Sequence, residues 1–403
     1  MSVTGLFDPD KLLEDAIAAT RIEPTAASSA PIRDFGDENF RAGLDVLCKA
    51  LADEGRLSEM GANILRQKIL GQLVNRLRVE DSFKRHPEIA RETVAPPLVI
   101  VGLPRTGTTK LHRLLSRDPR FYWMAFWESQ FPVPFPNERL EKPEARIKEA
   151  HGIVDYMTQA MPKLMAIHPM AAEEADEEVM LMEHSFLSAF DAYANIPSYV
   201  KWLDQQDQAP AYHYLRRMLQ FLQWQKRRRG IVGEKWVLKS PHHLLRMDTL
   251  LRVFPGVRVV QTHRDPVQSI PSIGSFIHTL WSIYSNEADP VAAGRSWSER
   301  MNRALRHTMQ VRARAPADVF LDVQFRDTVR RPLDVVRRIY AQLGWQLSGN
   351  AEAAMHRWLA EDEKSHQGGH DYTPEQFGLS EEQLKRDFAE YRERHIESAP
   401  AAA

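Results

Sequence analysis

Cysteine is almost absent from this 403-residue chain: Cys48 is the single one. No internal disulfide framework can form, and no zinc site built on cysteines. Cys48 lies among Leu44, Leu47 and Leu51 and reads as a small core residue. Net charge is equally scarce. Lys and Arg total 53 against 54 Asp and Glu, a formal net charge of -1. That balance gives the whole chain no pull toward nucleic acid or an anionic membrane surface. Long apolar runs are missing too, the longest falling far short of the ~20 residues a membrane helix needs. The opening MSVTGLFDPDKLLEDA carries acids where a secretory signal would carry its apolar core. These absences predict a cytoplasmic protein with no transmembrane segment and no nucleic-acid partner; a homodimer is left open. What is present is ordinary for a globular protein: 43% hydrophobic and 27% charged residues. The length suits one large α/β domain with additions, or two domains.

From Asn39 to about Glu80, apolar residues recur at helical spacing: Leu44, Leu47, Cys48 and Leu51, then Ile64, Ile69, Leu73 and Leu77. This predicts about two helices in an N-terminal extension over 1–95. At Ala95-Pro96-Pro97 the text changes. LVIVG (98–102) is a short apolar run ending in glycine and reads as a buried parallel strand. A helix is expected over 109–116, stopped by Asp118-Pro119, and FYWM (121–124) reads as a second strand. FPVPFPNERLEKPE is too proline-rich for a regular element. Helices are expected over 144–161, 173–195 and 210–229, forming a cap inserted at 144–230. WVLK (236–239), VRVVQTH (257–263) and VFLDVQF (319–325) then alternate with helices over 243–253, 266–285 and 332–343. Such alternation predicts βαβ crossovers and a mostly parallel sheet of about five strands within a domain over 96–395.

GLPRTGTTK (102–110) follows the first strand and opens a helix. Backbone N–H groups converge there, and the helix N-terminus adds partial positive charge, so the place suits an oxyanion. Gly107 permits close backbone approach. Thr108 and Thr109 offer hydroxyls, and Arg105 a permanent charge in a planar fork. Gly102, Gly107 and Thr109 have the spacing of a nucleoside-triphosphate P-loop, but Thr108 stands where that motif requires its phosphate-binding Lys. A γ-phosphoryl donor is disfavoured.

PRTGTTKLHRLL resembles the 5′-phosphosulfate loop of sulfotransferases, in particular bacterial and tyrosyl-protein members with Pro-Arg-[Ser/Thr]-Gly-Thr-Thr. The resemblance implies a P-loop-like sulfotransferase fold and the donor 3′-phosphoadenylyl sulfate (PAPS), bound through Arg105, Thr106, Gly107, Thr108 and Thr109. In that family an Arg ending a later strand, and a Ser eight residues on, bind the donor's 3′-phosphate. Arg264 and Ser272 have that spacing, with Ser269 as a weaker candidate, and His263 is expected to pack. VLKSPHH (237–243) resembles the Lys-Thr-His-Leu-Pro strand of cytosolic sulfotransferases. Lys239 and Ser240 match it, but Pro241 takes the place of the basic His, with His242 and His243 displaced.

Two residues are therefore candidates for the base that takes the acceptor proton. One is His242. The other is Glu128 in FYWMAFWE, roughly where some members carry a glutamate; its aromatic surroundings are expected to raise its pKa. Arg105 and Lys239 would stabilise charge on the sulfonate. No metal is expected, because the leaving group is a single phosphate. The acid-rich AEEADEEVMLMEHSF (172–186) reads as a helix with solvated or paired acids, with Glu183 or His184 able to line an acceptor pocket. Lys364, His370 and Tyr372 are weak candidates for a C-terminal contact to the nucleotide. The cap's Met, Phe, Tyr and Trp suit an apolar alcohol, phenol or lipid-like acceptor, although core packing explains them as readily. A P-loop-type small-molecule kinase and a non-catalytic nucleotide-binding protein stay open as alternatives.

Overall fold

The structure, a computed structural model, describes residues 3–21, 30–365 and 373–398. Its centre is a five-stranded sheet in the order β2-β3-β1-β4-β5. The strands are β1 (Leu98–Gly102), β2 (Phe121–Tyr122), β3 (Lys235–Lys239), β4 (Arg258–His263) and β5 (Phe320–Gln324). Every pairing is parallel. β1 is central, with Ile100 beside Lys239 on one side and Val260 on the other. A strand paired on both edges and covered on both faces must be apolar throughout, and all five residues of β1 are buried. Alternate side chains separate the two faces. Val99, Val101, Trp236, Leu238 and Val259 join a large apolar cluster that also holds the N-terminal helices and the cap. Leu98, Ile100, Val237, Val260 and Val323 face a smaller one with Leu111, Val336, Ile339 and Trp358.

The expected strands appear within a residue or two of their predicted ends. The two N-terminal helices run Phe40–Asp53 and Glu59–Arg85, with Ile64 on the exposed side rather than in the apolar stripe. The cap helices Glu144–Ala160 and Ala209–Arg228 also appear as read. Helices Pro9–Ala19, Pro290–Arg312 and Gly349–Ser365 were not anticipated. Two of these share a start signal with the helix Pro266–Tyr284: an Asp caps and a Pro occupies the first turn.

The expected helix over 173–195 is absent. That segment holds only short turns of helix, Val179–Met182, Glu183–Ser185 and Phe190–Ala192. Its backbone bonds elsewhere. Trp127 and Phe126 N–H donate to the carbonyls of Ala172 and Glu174 (both 3.0 Å), and Asp176 N–H donates to Met124 (2.8 Å). Ala125 and Ala175 form an antiparallel bridge. Phe186, at φ 55°, ends the turn Glu183–Ser185 in the left-handed region. Pairing with the chain after β2 overrides the local preference for helix. No helix among the described residues is long and apolar enough to cross a membrane.

Candidate active site at the C-terminal ends of the strands

The chain builds β1, β2 and β3 on one side, then crosses β1 to add β4 and β5 on the other. In an open α/β sheet that reversal leaves a crevice at the strands' C-terminal ends. The loop Leu103–Gly107 lies there and opens the helix Thr108–Leu115. Leu111 N–H to the Gly107 carbonyl, at 3.2 Å, is a first-turn bond of that helix. The N–H groups before it have no intrahelical acceptor and are available to an anion. Gly107 takes φ 83°, and a Cβ there would collide with the Thr328 hydroxyl. A Cβ on Gly102 would collide with Thr262. Both glycines are required by close approach.

Thr106 is buried. It donates its hydroxyl to the Leu103 carbonyl (2.6 Å) and lies 2.7 Å from the Thr262 hydroxyl. It braces the loop from inside, leaving its backbone as the part that can face a ligand. Thr108 is buried at the helix start, and Thr109 is half-buried beside Lys239. Arg105 is exposed, holds φ 71° and donates to the Ile167 carbonyl at 2.6 Å.

Arg264, just beyond β4, donates from Nη1 to the Arg105 carbonyl at 2.9 Å and lies 4.4 Å over the Phe325 ring. Two motifs 159 residues apart thus meet at one guanidinium. Ser272 is buried in the second turn of the helix Pro266–Tyr284. Ser269 donates to its own helix, at the Asp265 carbonyl. His263 packs as expected, with Nδ1 against the Tyr391 hydroxyl and Nε2 against Asp322, both at 2.7 Å. His263, Asp322 and His395 could together approach a metal ion. Arg312, however, grips both Asp322 oxygens, so a cation already occupies that carboxylate.

At the end of β3, Lys239 extends Nζ to within 3.3 Å of Thr109 Oγ1 and forms an ion pair with Glu177. Its backbone N–H donates to Glu178 Oε2 at 2.8 Å. Glu178 is fully buried. Its other oxygen accepts from His243 Nε2 at 2.5 Å, and His243 Nδ1 accepts from the Tyr212 hydroxyl at 2.7 Å. Burial alone would raise the Glu178 pKa, but the His243 contact and the N–H donors hold it below the ordinary value. Sequence reasoning missed Glu177 and Glu178. It noticed the acid run but assigned it to a helix, and no periodic signal marks the paired stretch. His168, its ring tilted against that of Phe276 at 5.4 Å, also faces this place; burial and the Lys239 charge push its pKa down to about 4.

His242 sits one turn past Lys239 and is buried, with neither ring nitrogen hydrogen-bonded. Burial and the charges of Arg300, His243 and Arg246 push its pKa well down. Glu128 is 1% exposed. Both of its oxygens meet Lys226 Nζ (2.7 and 2.6 Å), Oε1 also meets Arg229 (2.7 Å), and Oε2 accepts from the Ala125 N–H (3.0 Å). The expected rise in its pKa does not occur. Burial does favour the neutral form, but Lys226 and Arg229 more than offset it, and the carboxyl is held below its ordinary value. Glu183 pairs with Lys68 and accepts from Gln72 and Tyr193, while His184 lies 3.3 Å from Asn75. His370, Tyr372 and the Lys364 side chain lie outside the described residues.

The model of the sulfotransferase family matches residues 96–349, from the approach to β1 to the start of the helix Gly349–Ser365. The chain belongs to the sulfotransferase family. A curated relative, the omega-hydroxy-beta-dihydromenaquinone-9 sulfotransferase Stf3 of Mycobacterium bovis, is 28% identical over 268 residues, 64% of this chain and 65% of that protein. The match thus spans just under two thirds of the relative's length. Among solved structures, the sulfotransferase STF1 of Mycobacterium tuberculosis superposes with a TM-score of 0.80 and 30% identity, covering 94% of this chain and 98% of that one. The sulfotransferase STF9 of Mycobacterium avium gives 0.83 and 25%, covering 95% of each. This member of the sulfotransferase family shares with both an α/β fold with a parallel sheet flanked by helices.

Proposed function

We propose that the protein moves a sulfonate group from PAPS to the hydroxyl of an apolar, lipid-like acceptor. The observation that carries this reading is the Arg264–Arg105 contact, which joins the two phosphate motifs at one crevice. In PAPS the sulfonate sits on the 5′-phosphate through an anhydride, so transfer needs one phosphate as leaving group. The free N–H groups at the start of Thr108–Leu115, with Thr108 and Thr109, would hold the 5′ end. Arg264 and Ser272 would hold the 3′-phosphate. Lys239, pinned at its backbone by Glu178, places a fixed cation beside Thr109, where charge grows on the sulfonate and leaving oxygens. Arg105 adds a second cation once released from Ile167. Donors fixed in a water-poor site commonly supply the largest share of such a rate enhancement.

Two things support a lipid-like acceptor. Stf3 is named for a hydroxylated dihydromenaquinone. Half-buried Phe276, whose ring lies 5.4 Å from that of His168, offers an apolar surface near the site. The test is nucleotide binding followed by transfer. PAP, the desulfated donor, should stabilise the fold by ~2.7 kcal/mol at a hundredfold excess over its dissociation constant. Radiolabelled PAPS incubated with a bacterial lipid extract should put label into the organic phase. Stabilisation by ATP–Mg²⁺ but not PAP would overturn the donor, and label confined to water-soluble products would overturn the acceptor class.

A further inference from the structure

Resting on that reading, we infer that Glu177 is the general base of the transfer. Neither residue singled out from sequence is placed for the task. All the acceptor capacity seen at Glu128 is turned to Lys226, Arg229 and the Ala125 N–H, inside the cap. His242 is buried among Arg246, Arg300 and His243, none of which would favour its protonated form.

Glu177 differs on each point. Its Oε1 forms an ion pair with Lys239 Nζ, and the same Nζ lies 3.3 Å from Thr109 in the phosphate loop. The carboxylate is thus one ion-pair length from the lysine that would meet the sulfonate. Its side chain is 19% exposed where that of Lys239 is only 3% exposed, so Glu177 is the solvent-accessible member of the pair. Neighbouring carboxylates are committed elsewhere. Glu178 is held by His243 and the Lys239 N–H. Asp176 accepts from Ser129, and Glu174 pairs with Arg117. The non-helical path of 172–178 brings Glu177 here, because a helix would have turned adjacent glutamates about 100° apart rather than to the two parts of one lysine.

The step balances simply. The acceptor oxygen forms a bond to sulfur as its proton passes to the Glu177 carboxylate. The bond between sulfur and the 5′-phosphate oxygen breaks, and its electron pair leaves on PAP. Lys239, released from Glu177 as that carboxylate is neutralised, is left to stabilise the leaving phosphate.

The experiment compares wild type, Glu177→Gln and Glu177→Asp in mildly alkaline buffer. PAP release from PAPS is followed with water, micellar decanol and para-nitrophenol as acceptors, and PAP binding is read by thermal shift. Removing a base should slow transfer to decanol by ~10²–10⁴-fold. Transfer to para-nitrophenol, already largely ionised, should fall much less, because no proton has to be removed. Glu177→Asp should recover part of the decanol rate, and PAP should still shift both variants. Equal losses with both acceptors would make Glu177 a positioning residue for Lys239 and overturn the inference. So would a Glu177→Gln variant with wild-type rates. A wild-type chain that binds PAP but transfers to none of the three acceptors, or that does not bind PAP, would overturn the transfer reading, and the base with it.

Discussion

Glu128 and Glu177 each meet a lysine, and the two pairs lie along the same strand. Lys226 stands 5.9 Å from the ring of Trp236, near the start of β3. Lys239 ends β3. The first pair is closed: a second cation, Arg229, and a backbone N–H complete the carboxylate's coordination, and Glu128 and Lys226 are both buried. The second pair is open. Its lysine also reaches Thr109 at the start of the helix after β1, and its glutamate side chain is partly exposed. Aromatic surroundings and burial favoured Glu128 as a reactive group. The structure teaches that what surrounds a carboxylate matters less than whether its partners are complete. A buried ion pair with every lone pair used serves to fix the cap, and chemistry needs a site with one partner missing.

Several substitutions can break this comparison. The largest expected effect is on stability. Glu128→Gln leaves Lys226 and Arg229 buried without their counter-charge, which should cost about 3–5 kcal/mol in urea unfolding, with PAP still bound by the folded fraction. If Glu128→Gln instead keeps full stability and loses turnover, the roles of the two pairs are reversed. Next is Lys239→Met, expected to lower transfer by ~10²–10³-fold while leaving the unfolding midpoint nearly unchanged. Unaltered turnover would show that the open pair lies outside the reaction. Gly107→Ala should be smaller, about 1–3 kcal/mol, because its φ of 83° and the neighbouring Thr328 both oppose a side chain. It should weaken PAP binding together with stability.

The smallest effect is a pH dependence. Glu128 and Glu178 both hold folded pKa values below the ordinary 4.5. Their stabilising share is complete above the unfolded value and is lost as pH falls through the lower folded ones. Unfolding free energy should therefore decline in acid, and Glu128→Gln should give a flatter acid limb than wild type. Identical limbs would mean that the closed pair contributes nothing through its ionisation.

The sheet was largely legible because β1 is an unbroken apolar run and β3 and β4 carry shorter ones between helix signals. LVIVG could hardly be anything else beside a glycine loop. The strand–loop–helix turn after β1 was legible for a related reason: the apolar run, the two glycines and the helix start all lie within one short segment. The surroundings of Glu128 were not legible. Its partners Lys226 and Arg229 lie 98 and 101 residues away and arrive only when the cap helix packs down. The stretch 172–186 was misread because acids and apolar residues mix there without a decisive period. Pairing with residues 124–127 settles its path, and no local pattern announces that. The helices Pro9–Ala19 and Pro290–Arg312 were avoidable omissions, since Asp8-Pro9 and Asp289-Pro290 carry the same start signal as Asp265-Pro266.

The two ends of the crevice have different origins in the chain. Thr109, Lys239 and Arg264 belong to the sheet and the loops and helix that follow its strands, whereas Glu177 arrives on the insertion between β2 and β3. A graft that replaced the insertion with that of another family member would therefore exchange the acceptor's surroundings and the proton-accepting group as one cassette, while leaving the nucleotide grip in place. Swaps confined to the apolar wall, with the stretch from Ala172 to Glu178 kept native, are the safer route to a changed acceptor.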